Sequence, residues 1–372
     1  MSGPLTLTLC LTHNCNLRCS YCYAGRKYAH AMSQETAERA IDIALAEAQQ
    51  TNRNLDVSFF GGEPLLEWPL LQHCCTYIQQ KADGSDTRIR FGITTNGTLL
   101  TRDMLEWMAD HDFLVGLSID GSPAMHNTNR RYADGRGSHE QVAEALELIN
   151  ALHRLRSKVI CVVNPANCVH LQSGVLWLHA HYCGSIGLNF DYWSEWSDEQ
   201  FDTLSRQLEM VAGDVTHSYR IGNPIRLECL ESKIITHLSP AAPDCVLCTI
   251  GEREIAVSVD GNFFPCSRMV AVGDAPAIAF GSVSSGIDRA RQNFIIATRG
   301  NATPECRICE LRHRCLNTCG CTNYASSGQI NRVSPFLCNL QQRLIQLADE
   351  MAETLYLEQN PHFLQRFYAT TR

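Results

Sequence analysis

Asn14-Cys15-Asn16-Leu17-Arg18-Cys19-Ser20-Tyr21-Cys22-Tyr23 is the stretch on which the reading of this chain turns. Cys15, Cys19 and Cys22 stand in the spacing C-x3-C-x2-C. Three thiolates this close can wrap one metal cluster, and three is one short of the four irons of a [4Fe–4S] cube. An iron without a protein ligand is an open coordination position, where a small molecule can bind and react. Two plainer readings remain for the same residues. One is a structural zinc knuckle with His13 as fourth ligand; the other is a set of buried free thiols.

The composition bounds what surrounds this loop. The chain has 372 residues, enough for two domains and a sizeable core. Its net charge is −8 with no long basic run, which argues against nucleic acid or an anionic membrane as main partner. No apolar run is long enough to span a bilayer, and Met1–Leu11 lacks the features of a signal peptide. Nineteen cysteines, clustered at short spacings in a long chain without an export signal, read as metal binding in a reducing cytosol.

Strand and helix patterns alternate along the first half. Strands are expected at Leu5–Leu11, Leu55–Phe60, Ile89–Thr95, Phe113–Ile119, Val159–Val163 and Ile186–Asp191. Between them helical spacing predicts helices at about Glu35–Gln49 (with Ser33 as N-cap), up to about Lys81, and at Arg102–His111, His139–Leu155 and Val169–His181. Six alternations imply a parallel sheet with helices outside, either an open doubly wound sheet or an incomplete (β/α) barrel. In both, chemistry gathers at the carboxyl ends of the strands.

Motifs fall at those ends. Gly61-Gly62-Glu63-Pro64 follows the second strand, where two glycines allow close backbone approach to a ligand. Thr94-Thr95-Asn96-Gly97 ends the third. Ser118-Ile119-Asp120-Gly121 ends the fourth and leads to His126-x3-Arg130. Together with the cysteine triad these segments resemble the radical S-adenosylmethionine (SAM) enzymes, in the branch that modifies peptides and sulfatases. The resemblance implies a partial (β/α)6 TIM-like barrel. It implies a [4Fe–4S] cluster on Cys15, Cys19 and Cys22 whose free iron is chelated by SAM, and reductive cleavage of SAM to a 5′-deoxyadenosyl radical. SAM would be held by Tyr21, Gly61, Gly62, Glu63, Asn96, Ser118, Asp120 and Arg130. Glu63 would take the methionyl ammonium, Ser118 would face the ribose, and Arg130, or the adjacent Arg131, would pair with the carboxylate.

Asp191-Tyr192-Trp193-Ser194-Glu195-Trp196 comes after the sixth strand and has two readings, a grip for a peptide or aromatics packing the barrel against the next domain. Cys74, Cys75, Cys161, Cys168 and Cys183 lack ligand spacing and read as small core residues.

Asp198–His217 is expected to be a connecting helix, and beyond Pro224 the composition shifts. Cys248-x12-Gly261-x4-Cys266, then Cys306-x2-Cys309-x5-Cys315-x3-Cys319, then Cys338, resembles the SPASM extension of radical SAM enzymes. This implies a radical SAM barrel over 1–222 and a small cysteine-rich α+β SPASM domain over 223–372. By the same resemblance, two auxiliary [4Fe–4S] clusters bring the total to three. Cluster I would use Cys245, Cys248, Cys266 and Cys319; cluster II would use Cys306, Cys309, Cys315 and Cys338. Cys229 competes for the fourth position in cluster I, and Cys321 competes with Cys319. A β-hairpin is expected at Ile255–Val259 and Phe263-Phe264 with its turn at Asp260-Gly261-Asn262, and a last long helix at Leu340–Leu357.

The resemblance implies a cytosolic maturase that abstracts hydrogen from a side chain of a ribosomally made peptide. A crosslink (thioether, carbon–carbon or ether) is the expected product. Formylglycine formation, as in anaerobic sulfatase maturases, is the alternative, and redox-neutral epimerisation a third. In sulfatase maturases an Asp follows the G-x4-C cysteine; here Ser267 stands there, so the expected base is absent and no other is evident. With the first barrel strand expected at Leu5–Leu11, the precursor-binding domain common in crosslinking enzymes is not expected in this sequence. The precursor peptide is therefore expected to need the barrel, the auxiliary domain or a separate recognition protein. An external donor such as flavodoxin or ferredoxin would supply electrons. A non-catalytic iron–sulfur carrier is the reading from another class, and it has no use for Gly61–Pro64 or Arg130.

Overall fold

The computed structural model describes residues 3–24, 27–238, 248–270 and 278–369. Cys245 lies outside the described residues. The strands that organise the chain are β1 (Leu5–Thr12), β2 (Leu55–Gly61), β3 (Ile89–Thr95), β4 (Leu114–Ser118), β5 (Arg156–Val163), β6 (Ile186–Phe190), β7 (Glu254–Val257) and β8 (Phe263–Phe264). The helices of the first half are α1 (Gln34–Gln50), α2 (Trp68–Ala82), α3 (Arg102–Asp110), α4 (Pro123–Asn129), α5 (His139–Ala151) and α6 (Leu171–His181). Those of the second half are α7 (Asp198–Arg220), α8 (Glu228–Leu238), α9 (Arg289–Gly300), α10 (Pro304–Ile308), α11 (Gly320–Ser327), α12 (Pro335–Leu357) and α13 (Pro361–Tyr368). All six expected strands of the first half are present, and the parallel α/β class expected from the alternation is the one observed.

The chain divides into two compact units. One comprises Met1–Ser118, Arg131–Ser157 and Thr249–Asn301; the other comprises Ile119–Arg130, Lys158–Cys248 and Ala302–Arg372. Neither ends at residue 222.

In the first unit β4, β3, β2 and β1 pair in parallel, each joined to the next through helix. Leu7 lies opposite Val57, Val57 opposite Phe91, and Ile93 opposite Val115. β1 is buried on both faces: Leu5, Leu7, Leu9 and Leu11 face one side, while Thr8 and Cys10 are covered on the other. Its Leu-Thr alternation thus marks a strand but not a solvent face. Ser33 caps α1, its hydroxyl accepting from the Thr36 amide at 3.1 Å, and Ala37, Ala40, Ile41, Ala44, Leu45 and Ala48 are buried as the helical spacing predicts. Phe59, Phe91 and Phe113 stack at 5.3 to 6.5 Å beneath the helices. Truncating a fully buried ring such as Phe59 costs about 3–5 kcal/mol.

The expected hairpin is present and has a further role. β7 pairs in parallel with β1, Leu7 opposite Ile255, and β8 folds back antiparallel through the Asp260-Gly261-Asn262 turn. Gly261 takes φ 80° there, a conformation open to glycine at little cost. Ala256 and Phe264 pack on Cys10.

In the second unit β5 and β6 pair in parallel, Cys161 opposite Leu188. The capping box Ser197/Gln200 starts α7, which runs to Arg220, three residues beyond the expected end. α12 begins at Pro335, five residues earlier than expected, because Ser334 caps it and proline suits the first turn. Cys338 is thereby placed in a helical turn. α4, α8, α9, α10, α11 and α13 were not anticipated; α4, α10, α11 and α13 are too short for a periodic pattern to stand out. Among the described residues no helix is long and apolar enough to cross a membrane.

Candidate functional site

The cysteine loop leaves the carboxyl end of β1 and is closed at its base. Thr12 and Ala31 form an antiparallel bridge, and the His13 amide donates to the His30 carbonyl at 2.9 Å. Leu17 bridges to Tyr132, and the Arg18 amide donates to the Arg131 carbonyl at 2.6 Å. The Arg18 guanidinium reaches back to the carbonyls of Cys15 and Leu17. Cys15 is buried, while Cys19 and Cys22 are half-exposed. The Cys15 sulfur takes the Leu17 amide at 3.4 Å and the Asn96 side-chain amide at 3.7 Å. Lys27 reaches the Cys22 sulfur at 3.0 Å. Burial pushes the Cys15 thiol up, and the Leu17 N–H opposes this. Donors around sulfur are what a cluster-bound thiolate uses to spread its charge, so these residues fit the expected cluster. Among the described residues no three His, Cys, Asp or Glu side chains gather as around a single metal ion. His13 is buried against Tyr28, ring centroids 5.1 Å apart, and burial first, then Lys27, holds it below its ordinary pKa.

The Gly61–Pro64 turn is pressed directly onto this loop. The Gly62 amide donates to the Thr12 carbonyl at 2.7 Å, and the Glu63 amide to the Asn14 carbonyl at 2.9 Å. A Cβ on Gly61 would meet the Thr12 oxygen at 2.5 Å, and one on Gly62 the Asn14 oxygen at 2.0 Å. The lack of a Cβ at both positions lets the backbone of the cysteine loop lie against this turn.

Glu63 is fully buried. Its carboxylate accepts from the Thr95 hydroxyl at 2.7 Å, the Asn96 amide at 2.8 Å and the Leu65 amide at 3.1 Å. Asn96 in turn donates to Asn16 at 2.9 Å, and Asn16 to the Thr98 hydroxyl at 2.7 Å. Three segments widely separated in sequence are thus tied at the carboxyl ends of β1, β2 and β3. Burial pushes the Glu63 carboxyl from its usual 4.5 up to about 7, against the Asn96, Thr95 and Leu65 donors. A raised carboxyl favours the protonated fold: its contribution is complete below pH 4.5 and is lost as pH climbs through about 7. Wild-type protein should therefore lose on the order of 3 kcal/mol across that window, and Glu63→Gln should flatten this part of the dependence. Thermal midpoints measured across the window check it.

Asp120 and Arg130, expected to face SAM, are both buried, and Arg130 Nε lies 3.0 Å from Asp120 Oδ2. Asp120 Oδ1 also accepts from the Val162 amide at 2.8 Å, and the Asp120 amide donates to His126 Nδ1 at 3.2 Å. The Asp-Gly…His-x3-Arg pattern is therefore an internal ion-pair knot in this structure. Arg131 is exposed and donates to the Gly135 carbonyl at 3.2 Å. Ser118 and Tyr21 are half-buried.

The second cysteine array is only partly gathered. In the second unit Cys319 hydrogen-bonds with Cys248, and its sulfur lies 3.6 Å from that of Cys321 and 3.1 Å from the Thr322 hydroxyl. Cys248 first, then Cys321, holds the Cys319 thiol well below its ordinary pKa. Both thiols that competed in the sequence for this place are therefore in it. Cys229 has Lys233 and Glu228 as charged neighbours instead, with Cys161 close by. Cys315 is pushed up to about 11 by burial, with Cys338 and Cys306 adding to it and the Asn317 N–H and Lys233 opposing. Cys338 and Cys306 thus lie within electrostatic reach of Cys315, and Cys309 is half-exposed on the same segment as Cys306.

In the first unit Cys266 follows β8. The next residue, Ser267, donates its amide to Glu254 at 2.9 Å, and the Ser267 hydroxyl and Cys266 thiol bond to the same carboxylate. Burial holds Glu254 above its ordinary pKa. Sequence reasoning missed Glu254, because it lies thirteen residues before Ser267 and only the hairpin brings the two together. Asn16, Lys27 and Lys233 were missed as well; only Asn16 and Lys27 carried a signal, as polar residues flanking the triad.

The loop after β6 follows the packing reading for two of its aromatics. Trp196 stacks on Phe336 at 4.7 Å, and Tyr192 lies 5.9 Å from the same ring. Trp193 points outward, 47% exposed. Cys74, Cys75, Cys161 and Cys168 are buried as expected, but Cys183 is exposed, so its reading as a core residue was mistaken: it follows the end of α6, where the chain turns at the surface.

These features define the class before any comparison: parallel strands whose carboxyl ends carry a C-x3-C-x2-C loop locked to a glycine-glycine-glutamate turn. Residues 9–166 match the model of the radical SAM superfamily. A cysteine-type anaerobic sulfatase-maturating enzyme of Clostridium perfringens is 30% identical over 177 residues, 45% of this chain and 47% of that enzyme. The chain spans between 47% and 63% of the length of the first curated relatives it matches. Among solved structures, anSMEcpe with bound AdoMet and a peptide superposes with a TM-score of 0.79, 20% identity and coverage of 94% of this chain and 98% of that one. Streptococcus suis SuiB bound to the precursor peptide SuiA gives 0.62, 14% identity and coverage of 91% and 76%. These structures share the fold.

Proposed function

We propose that this protein is a radical SAM maturase of peptide substrates that joins side chains of a ribosomally made peptide by a crosslink. The observation that carries the class is the lock between the cysteine loop and the Gly61–Pro64 turn, with Glu63 at its centre. When bound, a [4Fe–4S] cluster on Cys15, Cys19 and Cys22 and its SAM would supply the radical that removes a hydrogen atom from the substrate. The chain's own residues do the rest. Asn96 and the Leu17 amide hold the Cys15 sulfur, and Glu63 fixes the strand ends around it. Tyr21, Gly61, Gly62, Ser118, Asp120 and Arg130 complete the candidate SAM contacts. Auxiliary clusters on the later cysteines would carry away the electron of a two-electron oxidation. A ribosomal precursor peptide and a flavodoxin or ferredoxin are the partners this chemistry needs.

Formylglycine formation is the second reading, and two observations favour it. The curated relatives include sulfatase maturases. Ser267 replaces their acidic residue, but the Glu254 carboxylate stands 2.9 Å from the Ser267 amide, so an acid is present at that place from another strand. The test is anaerobic incubation of reconstituted protein with SAM, dithionite and either a sulfatase peptide or a small peptide encoded beside the gene. Loss of two hydrogens without an aldehyde supports crosslinking. Capture of the product by a hydrazide supports formylglycine. Zinc in place of iron in the purified protein would overturn both.

A further inference from the structure

We propose that Lys233 sets the reduction potential of the iron–sulfur cluster held by Cys306, Cys309, Cys315 and Cys338. The inference rests on the reading of those four residues as a cluster site.

Lys233 lies on α8 and is 4% exposed. Burying an ammonium is costly unless the surroundings use its charge. Its Nζ donates to the Arg314 carbonyl at 2.6 Å and to the Gln341 side-chain oxygen at 2.7 Å. Neither partner is anionic. The Gln341 oxygen also receives the Leu316 amide at 3.3 Å, so the ammonium is tied to residues on both sides of Cys315. Gln341 sits on α12 one turn after Cys338. The other nearby cation, Arg314, is already matched: its guanidinium donates to both oxygens of Asp349, at 2.6 and 2.8 Å, and to the Lys233 carbonyl at 2.9 Å.

The sulfurs of Cys315 and Cys229 lie within electrostatic reach of Lys233, and Cys315 would carry a negative charge as a ligand of the cluster. A cube on four thiolates is a net anion, and it becomes more negative on reduction. A fixed positive charge in a poorly screened interior favours the reduced form, and so raises the potential. A lysine that merely braced the Cys315 loop could be replaced by any donor that filled the place; a charge that sets a potential could be replaced only by another cation.

EPR-monitored redox titration tests this on the full chain, reconstituted anaerobically, with Cys15, Cys19 and Cys22 all changed to Ala so that only the auxiliary signals remain. Loss of a signal in Cys309→Ala assigns that signal to this set. Lys233→Met should lower its potential by on the order of tenfold in the reduction equilibrium, about 59 mV for one electron, with iron content unchanged. Lys233→Arg should keep the original value. An unmoved potential at full iron content overturns the proposal. So does loss of iron in both Lys233→Met and the polar Lys233→Gln, which would make the residue a brace. If the unsubstituted Lys233 protein has no signal that Cys309→Ala removes, the cluster reading itself fails, and the proposal with it.

Discussion

Protein in which Cys15, Cys19 and Cys22 are all changed to Ala will make no 5′-deoxyadenosine from SAM and will hold about four irons fewer per chain, the complement of one cube. The three thiols share one loop. The later cysteines lie in separate segments with their own supports: the Cys248–Cys319–Cys321 group and the Cys315 group around Lys233 and Gln341. Auxiliary iron should therefore persist. The base of the loop is held by backbone bonds at Thr12, His13, Leu17 and Arg18, none of which involves a sulfur. The apoprotein should thus stay folded, with a loss of about 1–2 kcal/mol for the small cavity at Cys15. Iron, sulfide and deoxyadenosine measured on one sample decide it. Deoxyadenosine at the wild-type level would place the radical site elsewhere.

Gly62→Ala will be among the most damaging single substitutions in the chain. Its Cβ would stand 2.0 Å from the Asn14 oxygen and 2.6 Å from the Asn14 carbonyl carbon. These are backbone atoms, so no rotamer relieves the clash. Either β2 or the cysteine loop must shift, and the Glu63–Asn14 and Gly62–Thr12 bonds go with it. About 3 kcal/mol or more is expected from overpacking with loss of buried hydrogen bonds, together with loss of the iron held by the triad. Gly213→Ala is the control. Gly213 lies within α7, and its Cβ would meet nothing within 4 Å, so a gain of up to about 1 kcal/mol is expected from helix propensity. Thermal midpoints and iron content of the two variants check both. A Gly62→Ala protein with normal iron and midpoint would mean the loop and turn are not locked as described.

Much of this was legible in the sequence, and the part that was not has one cause. Ligand spacing, strand alternation and turn residues are local. Cys15-x3-Cys19-x2-Cys22, the β2 glycines, the Asp260-Gly261-Asn262 turn and the six parallel strands could therefore be read from neighbours a few residues apart. Helix limits were less legible: α12 starts at Pro335 because of the Ser334 cap, a signal present in the sequence but outweighed by the later apolar periodicity.

What the tertiary structure alone decided is the use of each polar group. Glu63 became a buried acceptor for Thr95 and Asn96, more than thirty residues away. The glycines beside it face backbone, and Arg130 closes on Asp120. Glu254 stands beside Ser267 through the hairpin, and Lys233 reaches the carbonyl of Arg314 across 81 residues. A charged or polar side chain has no intrinsic partner in the sequence. Its partner is whichever group folding buries next to it, because a polar group taken out of water must be satisfied there. The sequence by itself determined which chemistry the cysteines and strand-end motifs are suited to; the fold decided which side chains hold that chemistry in place.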